Sequence, residues 1–327
     1  MANNSIKKNS FGLVILSIII ALTLSGLYAE WLWFDSLNYL SVFKTVLFSK
    51  VALGSAVFLM FFAFLLLNFT ILKRKVNVTI KKIYLTAILV VSLLAGFISS
   101  ASWFTVLRFI NYVNFGFVDP IFKTDIGFYI FVLPFYHFVL NMLLFLLIAI
   151  IVMTIAGYLL TTKTKKAPKQ DIKEEMPFGF KQPFQQIKIG IPKKGRTHLA
   201  FLAGLILIIF AAFFYLKRYS ILFSSGGAVF GAGYTDIAIT LPLYMILTVI
   251  TLITALIAFA YIYNQNTKIL LGSIALILIV SFGGNIVAAV VQSLYVQPNE
   301  FNLEEPYIEQ NIKHTLFAYG LTNVYTR

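Results

Sequence analysis

"IAITLPLYMILTVITLITALIAFAYIYNQNTKILLGSIALILIVSFGGNIVAAVV", residues 237 to 291, contains one formal charge, Lys268. Two uncharged apolar runs, 237 to 263 and 269 to 291, flank that lysine. Each is longer than the roughly 18 residues a helix needs to cross the hydrocarbon core of a bilayer. The same pattern recurs at 11 to 28, 51 to 72, 83 to 107, 138 to 160 and 199 to 216. The expected fold is therefore an all-α integral membrane protein, a seven-helix transmembrane bundle.

Composition agrees: 60% of the 327 residues are hydrophobic and only 12% are charged, which is the balance of a polytopic membrane protein. With no cysteine in the sequence, disulfides, thiolate metal sites and cysteine nucleophiles are excluded. Lys7 and Lys8 precede the first run as they would in a secretory signal. That run is longer than a signal's apolar region, however, and "LSGLYAEW" offers no small-x-small cleavage site, so it reads as a retained span.

The net charge of +14 invites a nucleic-acid reading, but the placement of the charges explains it otherwise. With the N-terminus in the cytoplasm, 18 of the 26 Lys and Arg fall inside, and eight (Lys44, Lys50, Arg108, Lys123, Lys217, Arg218, Lys313 and Arg327) fall outside. Of the acids, only Asp171, Glu174 and Glu175 lie inside. This is the positive-inside pattern of a multi-pass cell-membrane protein with no nucleic-acid partner. Trp31, Trp33 and Trp103 all fall at outer ends of spans, where an indole sits well between lipid and water. Seven spans put the C-terminus outside the cell.

The basic loop 161 to 198 is the one long cytoplasmic insertion. It reads as a solvated linker, or as a surface for anionic headgroups with Phe178, Phe180 and Phe184 as apolar contacts. On the outer side, Trp33, Leu37 and Leu40 have helical spacing and suggest a short helix lying in the interface, with simple aromatic anchoring of the two flanking spans as the alternative to a binding role. Asp119 and Asp125 read as turn and cap residues rather than paired catalytic carboxylates, and Pro134 as a kink or the start of the fourth span. Gly226, Gly227, Gly231 and Gly233 resemble a phosphate cradle, yet no Gly-Lys-Ser/Thr follows. A turn capped by Thr235 or Asp236 is the expectation.

Within the spans, Ser92, Gly96 and Ser100, Ala200 and Gly204, and Gly284 and Ala288 form small-residue faces that let helices approach closely. The seven runs contain no Asp, Glu, Lys or Arg, which disfavours an ion-coupled pump. Backbone near Gly283 and Gly284 could unwind to bind a ligand, but a tight crossing with Asn285 bonded across it is the simpler reading. His137, His198 and His314 lie far apart. Glu300, Glu304, Glu305 and Glu309 lack the spacing of a calcium loop. No catalytic, cofactor-binding or metal-binding residues are assigned, no cofactor is expected, and no motif supports an enzyme.

The acidic stretch "PNEFNLEEPYIEQNIKHTLFAYGL", 298 to 321, reads as a short amphipathic helix outside the membrane. Asn302 and Glu305 have capping-box spacing, Pro306 suits a first turn, and Ile308, Ile312, Leu316 and Tyr319 make one apolar stripe. Such a helix is marginal alone, so its stripe should pack on the outer loops or on a further domain. The chain then divides into a transmembrane domain, 1 to 297, and an outer segment, 298 to 327, read as the start of an outer domain that the chain does not contain.

Four segments, "DPIFKTDIGFYIFVLPF" (119 to 135), "GAVFGAGYTDIAITLP" (227 to 242), the acidic stretch and, more loosely, "WLWFDSLNYLSVF" (31 to 43), resemble uncharacterised protein family 0182 of prokaryotic multi-pass membrane proteins. The resemblance covers essentially the whole chain. It implies seven N-terminal transmembrane helices followed by a large outer domain, with no established activity and no catalytic residues. The leading expectation is a membrane anchor or scaffold for an extracytoplasmic domain or protein partner. A transporter or channel component for lipid or envelope material comes second, and an envelope enzyme whose site lies beyond this chain third.

Overall fold

The computed structural model describes residues 2–72, 78–162, 193–264 and 266–322; in parts of the helices, the first dozen residues above all, only the backbone is described. Among these residues there are nine α-helices and no named strand, the sole β pairing being a bridge between Val118 and Asp125. The helices are α1 (Ala2–Ser36), α2 (Leu40–Leu72), α3 (Val78–Ser100), α4 (Trp103–Ile110), α5 (Leu133–Thr162), α6 (Lys193–Lys217), α7 (Leu241–Asn264), α8 (Thr267–Val291) and α9 (Glu300–Ala318). Among the described residues six helices, built on α2, α3, α5, α6, α7 and α8, are long and apolar enough to cross a membrane. That matches six of the seven expected runs. α1 is a further helix of 35 residues.

Several boundaries differ from the sequence expectation. No separate interfacial helix forms around Trp33, Leu37 and Leu40. α1 runs on to Ser36, Asn38 adopts a φ of 60° to close a tight turn, and α2 starts at Leu40. The helical spacing there belongs to two long helices meeting end to end. The third run does not reach residue 107: α3 stops at Ser100, and α4 starts at Trp103 after a short turn. Lys193, Lys194, Arg196 and His198, expected in the cytoplasmic loop, lie in α6. Phe178, Phe180 and Phe184 lie outside the described residues.

Packing follows the small residues. Where α2 crosses α3, a Cβ on Gly96 would stand 2.6 Å from the Gly54 carbonyl oxygen, and one on Gly54 3.0 Å from the Gly96 oxygen. The two backbones are therefore in direct contact, the close approach expected of a small-residue face. Gly204 in α6 receives the ring of Phe259 from α7, and Gly284 in α8 receives Leu243 from α7. Phe61, Leu65, Ile88 and Ala95 fill the interior between α2, α3 and α5. A buried amide links the three: Asn68 accepts from Thr154 at 3.1 Å and donates to Tyr84 at 3.4 Å. α5 packs on α6, joining this half to α6, α7 and α8. α8 is unbroken through Gly283 and Gly284, and Asn285 is exposed with no bond to another helix. Neither the unwound site nor the Asn285 bond forms, whereas the tight crossing does, with Leu243 of α7 seated against Gly284.

At one end of the bundle, the end that the charge distribution assigns to the outside, three spans share a device. π-Helical turns cover Phe128–Val132, Asp236–Thr240 and Gln292–Val296, and each is followed two residues later by a proline, Pro134, Pro242 or Pro298. In each the closing amide reaches back five residues: Leu133 to Phe128, Leu241 to Asp236, Gln297 to Gln292. A proline has no N–H to donate, and its ring crowds the carbonyl four residues earlier, so the wider turn relieves the clash. At Pro134 the stranded carbonyl is that of Ile130, and Arg108 Nη2 donates to it at 2.7 Å. Pro134 therefore does not start the span, which begins at Phe128; it lies six residues inside it, where the π turn passes into α5.

Candidate functional site

The polar chemistry of the described residues gathers at this loop-rich end. Residues 111 to 127 fold around two aspartates. Asp119 is almost fully buried and accepts from the amides of Ile121 (2.9 Å), Phe122 (2.6 Å) and Thr124 (3.0 Å) and from the Tyr129 hydroxyl (2.7 Å). Asp125 accepts from the amides of Phe115, Gly116 and Gly127 at 2.7–3.2 Å. Carboxylates that accept from several amides of their own loop hold its turns, the role expected of both. Gly127 is required by close approach, since a Cβ there would lie 2.5 Å from the Val113 carbonyl oxygen.

The glycine-rich loop does what such loops do with anions, but the anion comes from its own chain. Gly231, at φ 132°, turns the backbone, and its amide donates to the Ser224 carbonyl at 2.8 Å. The amide of Tyr234 then donates to both carboxylate oxygens of Glu304, at 3.1 and 3.3 Å, and that of Gly233 donates to Asp236 at 3.3 Å. One backbone N–H, that of Tyr234, thus holds the Glu304 carboxylate, and Glu304 has no exposed surface. Gly233 must lack a side chain, because a Cβ would sit 2.9 Å from both Glu304 oxygens. The cap into the next span expected of Thr235 or Asp236 does not form: Asp236 accepts from an amide before it in the loop, and the Thr235 hydroxyl donates to Gln292 Oε1, which ties the entry of α7 to the exit of α8.

α9 is the other half of this contact, and it departs from its expected form. It begins at Glu300, joined to α8 through the π turn and a short 3-10 turn, Gln297–Asn299, so the helical path from Thr267 to Ala318 has no open loop. Pro306 lies inside the helix rather than in its first turn, and Asn302 donates to Asn299 at 2.7 Å instead of forming a capping box with Glu305. The docked face is not the apolar stripe. Glu304, Tyr307 and Asn311 face the loops, with Asn311 Nδ2 donating to the Phe230 carbonyl at 2.8 Å, whereas Ile312, Leu316 and Tyr319 are exposed. Further along, Phe317 meets Phe117 at 4.4 Å between ring centroids. Only Glu304 of the four glutamates is buried; Glu300, Glu305 and Glu309 point to solvent and do not converge with it.

Between α9 and the loops lies a cavity of about 490 Å³. One wall is polar (Tyr307, Gln310, Asn311 and His314 of α9), and the other includes Ile121 and Phe230. His314 thus reaches the loop-rich end, while His137 stacks on Phe213 within the bundle and His198 lies in α6. The pairing of Glu304 with the Tyr234 amide was missed in the sequence because 70 residues separate them. The available signal was an acidic residue on a helix and a glycine-rich loop without a phosphate-binding lysine.

The family model described as uncharacterised protein family UPF0182 matches residues 9–327. Among the relatives, a UPF0182 protein of Pelotomaculum thermopropionicum is 34% identical over 97% of this chain and 36% of its own length. One from Desulforamulus reducens is 33% identical over 96% and 36%, and one from Methanospirillum hungatei 33% identical over 95% and 35%. The chain thus spans about a third of the length of these relatives. No solved structure matches it. With the GAGYTD loop and the acidic helix now seen to form one contact, and with the match running through both, the chain belongs to uncharacterised protein family UPF0182.

Proposed function

We propose that the chain is a seven-span anchor of the cell membrane, with its N-terminus in the cytoplasm and its loop-rich end outside, and that this end holds an extracytoplasmic domain or protein partner in a fixed orientation. α1 supplies the seventh span, and the excess of Lys and Arg on the opposite side sets the orientation. The observation that carries the reading is the attachment of α9. A helix that continues from a membrane span and is also pinned by a buried carboxylate to a neighbouring loop has little freedom to swing, so whatever follows it or binds to it inherits a defined direction. Its exposed residues Ile312, Leu316 and Tyr319 are available to that domain or partner.

Spin labels at cysteines replacing Ser225 and Gln310, both exposed, test the attachment in the full chain in lipid. A single narrow distance distribution is expected, broadened by Glu304→Ala. A broad distribution in the parent chain, or a narrow one that Glu304→Ala leaves intact, would sink the proposal.

A further inference from the structure

A second cavity, about 500 Å³, lies at the same end between α4, the Asp119 turn, the π turn entering α5 and the 3-10 turn Arg218–Phe223 that ends α6. Its volume falls within the roughly 300–1,000 Å³ of small-molecule sites. Its lining is almost wholly apolar, and three of its residues, Ile126, Ile130 and Phe223, are also exposed, so the cleft opens to the surroundings. One cation stands over it, Arg108.

Arg108 is held in place but not neutralised. Its Nη2 donates to the Ile130 carbonyl, the acceptor that Pro134 strands, and the rings of Phe104 and Phe131 lie 5.4 and 5.8 Å from the guanidinium carbon. No described carboxylate comes within ion-pair distance of it. Asp119 also lines the cleft, but its oxygens are taken by three amides and the Tyr129 hydroxyl. An arginine has five N–H donors, so most of this one's remain unused by the protein.

The cleft sits where α5 begins and α6 gives way to its 3-10 turn, the level of the headgroups if these helices span a bilayer. A cation with spare donors above an apolar cleft at that depth is complementary to a molecule with an anionic phosphate and an acyl chain. We propose that the cleft between α4 and the start of α5 binds an anionic phospholipid, its phosphate on Arg108 and the upper part of one chain along Ile126, Ile130 and Phe223. The inference needs the bundle to lie in a membrane but does not depend on which side faces out or on the anchoring role.

Trp103, the first residue of α4, stands about 7.5 Å along the helix axis from Arg108 and serves as the reporter. With Trp31→Phe and Trp33→Phe, the full chain is reconstituted in vesicles containing brominated phosphatidylglycerol or brominated phosphatidylcholine at equal mole fraction, and quenching is converted to a relative binding constant. Phosphatidylglycerol is expected to be favoured about five-fold, the factor for about 1 kcal/mol per interfacial cation. Arg108→Gln should abolish the preference, Arg108→Lys should keep part of it, and Lys217→Gln should leave it unchanged. Ile130→Phe, which fills the cleft and keeps the cation, should also reduce it. The proposal is overturned by an absence of preference in the parent chain, by its survival in both Arg108→Gln and Ile130→Phe, by equal loss in Lys217→Gln, or by its removal with millimolar inorganic phosphate, which would mark a free-anion site.

Discussion

At the scale of single residues, the decisive contact is Glu304 with the amide of Tyr234. A hydrogen bond to a charged group contributes about 2 kcal/mol, and removing the carboxylate also leaves a buried N–H without a partner. Two glycines of the same loop separate this contact from general loop flexibility. Gly233→Ala would drive a methyl against both Glu304 oxygens, whereas a Cβ on Gly227 meets them at an ordinary 3.8 Å. Trypsin cleavage after Lys313 in the full, detergent-solubilised chain reads the undocked population. Gly233→Ala should raise the rate roughly 30-fold, the equivalent of about 2 kcal/mol, and Gly227→Ala should leave it near the parent value. The residues themselves were legible: GAGYTD and the acidic helix both stood out in the sequence. Their meeting was not, because nothing local specifies a partner 70 positions away. A four-interval apolar stripe also looked like the docking face until the buried glutamate proved to point the other way.

At the scale of elements, the spans were readable because an uncharged run of membrane length has few other fates, and the small residues within them predicted where helices touch. The ends were less legible. Helices such as α2, with 33 residues, run about 50 Å, well past the hydrocarbon core, so hydropathy marks only their middles. The π turns before Pro134, Pro242 and Pro298 were invisible for a related reason: each proline is accommodated by a change in hydrogen-bond register that leaves no compositional mark. The crossing of α2 and α3 yields a direct test. Gly96→Ala should destabilise the fold by about 1–3 kcal/mol, since its methyl would meet the Gly54 carbonyl oxygen. Gly283→Ala, which meets nothing within 4 Å, should be neutral or stabilising by up to about 1 kcal/mol. Thermal unfolding of the two variants in the same detergent compares them; equal midpoints would remove the close-crossing argument.

At the scale of the whole molecule, the proposed orientation rests on charge counting and the architecture on packing, and the two meet at the loop-rich end. The native sequence has no cysteine, so single substitutions map its sides cleanly. Ser225→Cys and Gln310→Cys should react with an impermeant maleimide on intact cells, and Thr267→Cys, at the opposite end of the bundle, only after lysis. The reverse pattern would invert the proposed topology. Docking and location together are tested most directly by one measurement, cross-linking of Phe117→Cys to Phe317→Cys with a short impermeant bismaleimide on intact cells. Those rings lie 4.4 Å apart, on the loop and on α9. A pinned α9 outside the membrane predicts rapid cross-linking that Glu304→Ala slows markedly. Two cysteines that each label from outside yet fail to cross-link, or that cross-link only after lysis, would contradict it.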